Sequence, residues 1–562
     1  MRHRQLVVLS ILLAIITIQS ATTATQIKVG VLVTYTTENV SIGYANTGGS
    51  IGVALDRVRD EHLLDGYNFS FIVRNMDCDS SLSVEALIEL IRVENVHAVL
   101  GPPCGKRTGH QGHLVSVRLG STTGGSISAT MTTAFSVPQF LWGYTTQYEL
   151  TDDKKFPYVA TITASSRSLG YAFMKLCEHF GWNKFAIVYT RNSVGYCDSI
   201  VADLETAASD PSTYQAQVTY KALMDETANA TYYTRLLGIK DRARVIALCM
   251  PLGPNKRNFM ARANKAGMTS DEYIYVILEL RSLGFGQGGN SAERLISGIS
   301  PFWADVMGTN NADNLTDLAK QGARRSIVLD LSSRDDFAVQ QFSVNIINRV
   351  TGPPLYCNIP ACLALTNSSS AGNFARSLYD AFYLYALTLN KTLTTDPVNG
   401  FRNASLIKAN LGGSFLGMTG QVVTNPDGSR KPYFFVYALD PTDVQLTYIN
   451  ITVDTINMND ATLVPGYTDD RTTIWAGRGG KRPLATPTCG FSGTDCPKAF
   501  WEANGVYVGI GIAFGILLIG VGISTMGYLF HERRKEIERL NSLWLVPFRA
   551  LEKPLSRVQW DL

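Results

Sequence analysis

Short, continuously apolar runs rich in β-branched residues alternate along the chain with longer stretches whose apolar positions recur at three- and four-residue spacing. Residues 27–33 (IKVGVLV) read as a strand buried on both faces. Residues 49–59, with Ile51, Val53, Ala54, Leu55 and Val58 apolar, read as the helix after it. The unit repeats: a strand at 69–73 precedes a helix at 80–93 lined by Leu82, Ala86, Leu87, Leu90 and Ile91, and 96–100 is a third strand. Farther on, strands at 158–162, 184–189, 215–220, 244–249 and 273–278 alternate with helices near 167–180, 197–207, 228–239 and 256–266. Repeated βαβ units predict parallel sheets with helices on both faces. So long a series without barrel-like uniformity predicts an α/β fold of two doubly wound lobes with a cleft between them.

One apolar run is of another kind. Residues 503–530 carry no charge over 28 positions, enough for a helix to cross a bilayer, which needs roughly 20 residues. The chemistry on its two sides differs. All eight N-x-[ST] sequons (Asn39, Asn68, Asn229, Asn314, Asn367, Asn390, Asn403, Asn450) and all nine cysteines precede it. Arg533, Arg534, Lys535 and Arg539 follow it, whereas Lys498 is the one positive charge between Thr488 and Glu502; that asymmetry places the carboxyl side inside the cell. At the start, Arg2, Arg4, an apolar run over 6–18 and small residues over 20–24 read as a signal peptide spanning 1–24. The expected product is a type I single-pass protein of the plasma membrane, with its amino terminus and about 480 residues outside.

Composition adds exclusions. A net charge of +3 without a basic stripe gives no footing for nucleic acid. Nine cysteines over such a length are local clips rather than a scaffold. The seven histidines lack metal-ligand spacing, His110 and His113 included, so no metal is expected. No Gly-x-Ser-x-Gly elbow follows a strand. Gly284-Phe-Gly-Gln-Gly-Gly289 matches a dinucleotide fingerprint by letter, but it lies late in the chain and on the extracellular side, and reads as a glycine-rich loop. No catalytic constellation emerges. Gly505, Gly509, Gly511 and Gly515 fit a helix-pairing face, and Ile537, Leu540 and Trp544 recur as in a short dimeric helix continuing from the span. The basic residues beside them suit anionic membrane lipid.

Four separated motifs stand in order: Gly101-Pro-Pro-Cys104, Gly181-Trp-Asn-Lys-Phe185, Ser377-Leu-Tyr-Asp-Ala-Phe-Tyr-Leu-Tyr-Ala386 and Pro487-Thr-Cys-Gly-Phe-Ser-Gly-Thr-Asp-Cys496. They closely resemble the extracellular receptor region of nematode receptor-type guanylate cyclases and, more distantly, the natriuretic peptide receptors, over nearly all of 26–562. The resemblance implies a type I periplasmic-binding-protein-like ectodomain of two Rossmann-like lobes joined by crossing strands, plus one transmembrane helix. The expected parts are a ligand-binding region at 26–465, a juxtamembrane stalk at 466–502, the span at 503–530 and a cytoplasmic segment at 531–562. Within the ligand-binding region the expected lobes are 26–155 with 295–410, and 156–290 with 411–465.

The resemblance also implies disulfides pairing Cys78 with Cys104, Cys197 with Cys249, Cys357 with Cys362 and Cys489 with Cys496. Cys177 is left over and reads as a small buried side chain rather than an intermolecular bridge. In the natriuretic peptide receptors the turn matching Gly101 and Cys104 helps hold a chloride; a tight turn closed by a disulfide is the plainer reading here, and no other cofactor is implied. One departure from the family pattern is a basic, Gly/Ser/Thr-rich insert at 105–126, read either as a surface loop or as non-coding sequence carried into the chain. The implied function is a receptor, dimeric with itself or with other receptor guanylate cyclases. It binds an extracellular peptide or small molecule and couples it to cGMP signalling; the alternative is a clearance or decoy receptor. The sequence given ends before the kinase-homology and cyclase domains of such receptors, so no enzymatic activity is expected of it as it stands.

Overall fold

The computed structural model describes residues 25–35, 40–105, 124–225, 228–288, 293–295, 298–305, 313–334, 337–366 and 369–547. The expected signal peptide, Asn39, Asn367, the insert apart from its ends, and the last part of the cytoplasmic segment lie outside them. The chain divides into two compact units, Met1–Pro487 and Thr488–Leu562.

The first unit opens with β1 (Thr25–Val33), α1 (Gly49–Asp60), β2 (Tyr67–Asn75), α2 (Ser80–Ile88), β3 (Ala98–Leu100), α3 (Gly124–Ala134), β4 (Gln139–Leu141) and β5 (Val159–Thr161). The strands form a sheet in the order β2-β1-β3-β4-β5, every neighbouring pair parallel. β1 beyond Lys28 and β3 are buried on both faces and so run apolar instead of alternating, whereas the edge strand β2 (YNFSFIVRN) is only partly buried. Asp79 starts α2 by accepting from the amides of Ser81 and Leu82 at 2.8 and 3.1 Å.

The second lobe follows with α4 (Ser166–Phe180), β6 (Lys184–Tyr189), α5 (Tyr196–Ser209), β7 (Gln217–Leu223), α6 (Asn229–Lys240), β8 (Val245–Cys249), α7 (Gly253–Lys265), β9 (Ile274–Leu278), α8 (Thr316–Ala323) and β10 (Ser326–Leu331). The chain then returns to the first lobe. There α9 (Phe337–Arg349) and α10 (Ala375–Thr395) pack on α1, α11 (Ala404–Ala409) packs on α10, and the hairpin β11 (Gly413–Gly417)–β12 (Gly420–Thr424) meets α10. Finally β13 (Tyr433–Leu439), β14 (Gln445–Val453) and β15 (Ala461–Pro465) extend the second sheet by antiparallel pairing, giving the order β15-β14-β13-β10-β9-β8-β6-β7. The three crossings between lobes are tied together: Thr161 N donates to Gly428 O at 2.9 Å, Ser332 N to Tyr433 O at 2.7 Å, and buried Arg430 Nη1 to Ile162 O at 3.1 Å. This is the expected pair of doubly wound lobes.

The lobe boundaries differ from those expected. Val159–Thr161, placed by sequence in the second lobe, pairs with β4 in the first sheet. Conversely α8 and β10, inside 295–410, belong with α7 and β9 of the second lobe, while β11 and β12, inside 411–465, pack in the first. A buried apolar run has the same composition in either sheet; the partner strand decides, and it is distant in sequence. Residues 466–487 are likewise no stalk. Trp475 is buried edge-on to Phe180 at 5.0 Å, Trp182 Nε1 donates to Pro483 O at 2.9 Å, and Arg478 Nη1 donates to Tyr273 O at 2.8 Å. This segment closes over the end of α4.

The second unit holds a small loop closed by Cys489–Cys496 and then α12 (Phe500–Trp544), a 45-residue helix containing the 503–530 run. Among the described residues it is the one helix long and apolar enough to cross a membrane. It continues without a break past Arg533, Arg534 and Lys535 to Trp544.

Candidate functional site

The carboxyl ends of parallel strands are where α/β folds present loops to ligands, and in the second lobe those ends carry a buried ionic cluster. Glu279, the residue after β9, is 1% exposed. Arg281 holds its carboxylate in a fork, Nε to Oε1 and Nη2 to Oε2, each at 2.5 Å. Tyr196, first residue of α5, donates its hydroxyl at 2.7 Å, and Lys256 of α7 faces the same carboxylate at 3.6 Å. Burial would raise Glu279, but the two cations outweigh it and hold the acid down to about 2. Burial depresses Lys256, against the pull of Glu279. Arg281 also donates Nη2 to Pro251 O at 2.9 Å. Two cationic donors are left over among the described residues: Lys256 Nζ and Arg281 Nη1 are buried and have no hydrogen-bond partner there.

Beside this cluster, Asp330 lies fully buried in β10 and gathers the loop that follows β9. Its Oδ1 accepts from Ser282 N and Leu331 N at 2.9 and 2.7 Å, its Oδ2 from Leu283 N and Gly284 N at 2.6 and 2.9 Å. Burial first, and the charge of Glu279 second, push this acid up to about 6. The fingerprint-like glycines therefore start in a backbone nest already filled by a carboxylate of the same chain, with Gly284 at φ +53°. A phosphate would find these amides taken.

The first lobe reaches this cluster. Tyr144, from the loop after β4, packs edge-on to Tyr196 at 5.3 Å and to Phe374, just before α10, at 4.6 Å. Arg376 of α10 donates to Ser282 O at 3.2 Å. The interlobe faces thus meet on the side where the ionic cluster sits.

Disulfides clip both lobes at the same strand ends. Cys197–Cys249 joins the start of α5, next to Tyr196, to the end of β8, with Cα atoms 5.7 Å apart; Cys78–Cys104 joins the loops after β2 and β3 at 5.6 Å. Cys357–Cys362 closes a short loop at 6.1 Å, and Cys489–Cys496 spans 3.8 Å. Cys177 is free and buried in α4, and burial raises its thiol well above the usual range.

At the proposed chloride turn, Gly101 has φ +90°, and an added Cβ would come 2.7 Å from Leu32 O, so only glycine fits. Its N–H already donates to Phe140 O at 2.8 Å, and that amide is not free for an anion. The indole Nε1 of Trp142, buried and without a hydrogen-bond partner among the described residues, is a donor left beside the turn. Of the described sequons, Asn68, Asn229, Asn314, Asn403 and Asn450 are exposed. Asn390 is half-buried in α10 and accepts from Leu64 N at 3.3 Å.

The ionic cluster was not singled out by sequence. Its signal was present: Asp330 interrupts the otherwise apolar β10 (SIVLDL), and Glu279 and Arg281 alternate with leucines after β9. A charge in a run that must be buried needs a partner.

The sequence profile of the receptor family ligand-binding region matches residues 46–442, which takes in both lobes. The chain belongs to this family. Among relatives of this receptor region, the receptor-type guanylate cyclase gcy-4 of Caenorhabditis elegans is 35% identical over 537 residues, covering 94% of this chain and 45% of that protein. Its Caenorhabditis briggsae counterpart is 34% identical, covering 95% and 46%, and gcy-5 of Caenorhabditis elegans is 31% identical, covering 94% and 45%. The receptor chain thus spans about half the length of the relatives it matches. Among solved structures, a solute-binding protein of an ABC transporter from Rhodopseudomonas palustris aligns with a TM-score of 0.47 at 15% identity, over 80% of this chain and 99% of that one. Receptor region and membrane-length helix together mark this as a membrane protein.

Proposed function

We infer that the chain is the sensing and anchoring portion of a receptor-type guanylate cyclase, binding a ligand outside the cell and coupling it to cGMP production. The observation that carries this reading is a ligand-binding region over both lobes followed by a membrane-length helix, in a chain that aligns over 94% of its length with a nematode receptor-type guanylate cyclase. The amino-terminal side faces outward: the exposed sequons and the disulfides lie before α12, and the basic cluster lies after the apolar run. Ligand would bias the lobes toward one relative arrangement, read across the bilayer as a change in pairing of two such helices, with the same chain or another receptor cyclase as partner. The cation-rich end of α12 then rests on anionic headgroups. A chloride at the Gly101 turn, if bound, would be held by Trp142 rather than by Gly101.

Topology tests the reading. Expressed in a cell with a secretory pathway, the chain should need detergent for extraction and lose mass on treatment with an N-glycosidase, while removal of 503–547 should release it into the medium. Recovery of the intact chain without detergent and without glycans would overturn the assignment.

A further inference from the structure

We propose that the second lobe carries a subsite for a small organic carboxylate, received by Lys256 Nζ and Arg281 Nη1. The proposal rests on the receptor reading above and gives its ligand a chemical class. Among the described residues, Glu279 is the only carboxylate in ion-pair contact with the two cations. Its oxygens are filled by the Arg281 fork and the Tyr196 hydroxyl. Asp330 cannot serve as a second acceptor, because its oxygens are occupied by four backbone amides. The two unmatched donors belong to different side chains. Lys256 is 0% exposed and without a hydrogen-bond partner, a costly way to leave an ammonium.

An anionic two-oxygen acceptor offers each donor an oxygen in a charge-assisted hydrogen bond. Uncharged isosteres supply the shape without the charge. The subsite adjoins the interlobe contact of Tyr144 with Tyr196, so a ligand whose carboxylate sits here has its remaining atoms between the lobes. Arg281 lies 5.2 Å from the Tyr196 ring, which links occupancy of the cation pair to the aromatic contact across the lobes.

The full chain in detergent is titrated with sodium acetate, sodium chloride or acetamide at matched ionic strength while its thermal unfolding is followed. The expected result is a saturable rise of several degrees in the unfolding midpoint with acetate, absent with acetamide and with chloride. Lys256→Met, which keeps side-chain length and leaves the Arg281–Glu279 fork intact, should remain folded and lose the acetate response. No saturable rise in the parent chain, an equal rise with chloride, or an unchanged acetate response in Lys256→Met would each overturn the proposal. None of these outcomes bears on glycosylation or detergent dependence, so failure of this subsite and failure of the receptor assignment read out separately.

Discussion

Glu279→Gln is expected to destabilise the second lobe by about 3–5 kcal/mol, the range for removing one partner of a buried ion pair and leaving the other charge uncompensated. Shape is conserved, so the loss is electrostatic. The amide keeps one acceptor for Tyr196 or Arg281, but it turns an N–H₂ group toward donors that the carboxylate had satisfied. Lys256 and Arg281 then lose the one described carboxylate in ion-pair contact with both. Coupling should show in the double variant. Lys256→Met in the Glu279→Gln background removes one of the stranded charges and should recover part of the loss, whereas Lys256→Met alone should cost little, since it removes an ammonium that burial already disfavours. Denaturant midpoints of the four proteins measure this. A Glu279→Gln chain within about 1 kcal/mol of the parent would mean that the cluster does not hold the lobe as described.

The repeating strand-helix frame was legible because parallel strands buried on both faces leave an unmistakable run: KFAIVY, VIALC and IYVIL are apolar almost end to end. Allocation of those runs to a lobe was not, since β5 and β10 owe their positions to partners remote in sequence. Residues 466–487 misled for a different reason. The stretch is polar and glycine-rich, as a linker would be, and its attachment depends on a few side chains, chiefly Trp475 against Phe180. In the candidate site the charges were visible, but their convergence was not. Lys256 sits on a helix, Glu279 and Arg281 beyond one strand and Asp330 within another, and only the order β10-β9-β8 brings them together. The glycine motif shows the reverse hazard: its letters suggest a phosphate cradle, and what fills the cradle is Asp330.

Asp330→Asn should cost about 2–6 kcal/mol, and its cost should grow as the solution is acidified. Each carboxylate oxygen accepts two amides. An asparagine can satisfy one pair, and its own N–H₂ then faces the other, leaving two buried N–H groups unmet at about 1–3 kcal/mol each. The pH dependence follows from the acid being held up to about 6 in the folded chain against an ordinary value of 3.8. A raised folded value means that the native state binds the proton more tightly, so the associated stability is fully present below pH 3.8 and is lost as pH rises through about 6. Between pH 7 and pH 5 the parent therefore gains stability that the asparagine variant, with nothing to titrate there, does not. Glu279 acts in the opposite sense and lower down, its contribution fading as pH falls from 4.5 toward about 2, outside this window. Unfolding midpoints of both chains at pH 7, 6 and 5 should diverge toward acid. Parallel curves would show that Asp330 stays ionised across the range, and the strength of the amide nest would then have to exceed the combined effect of burial and Glu279.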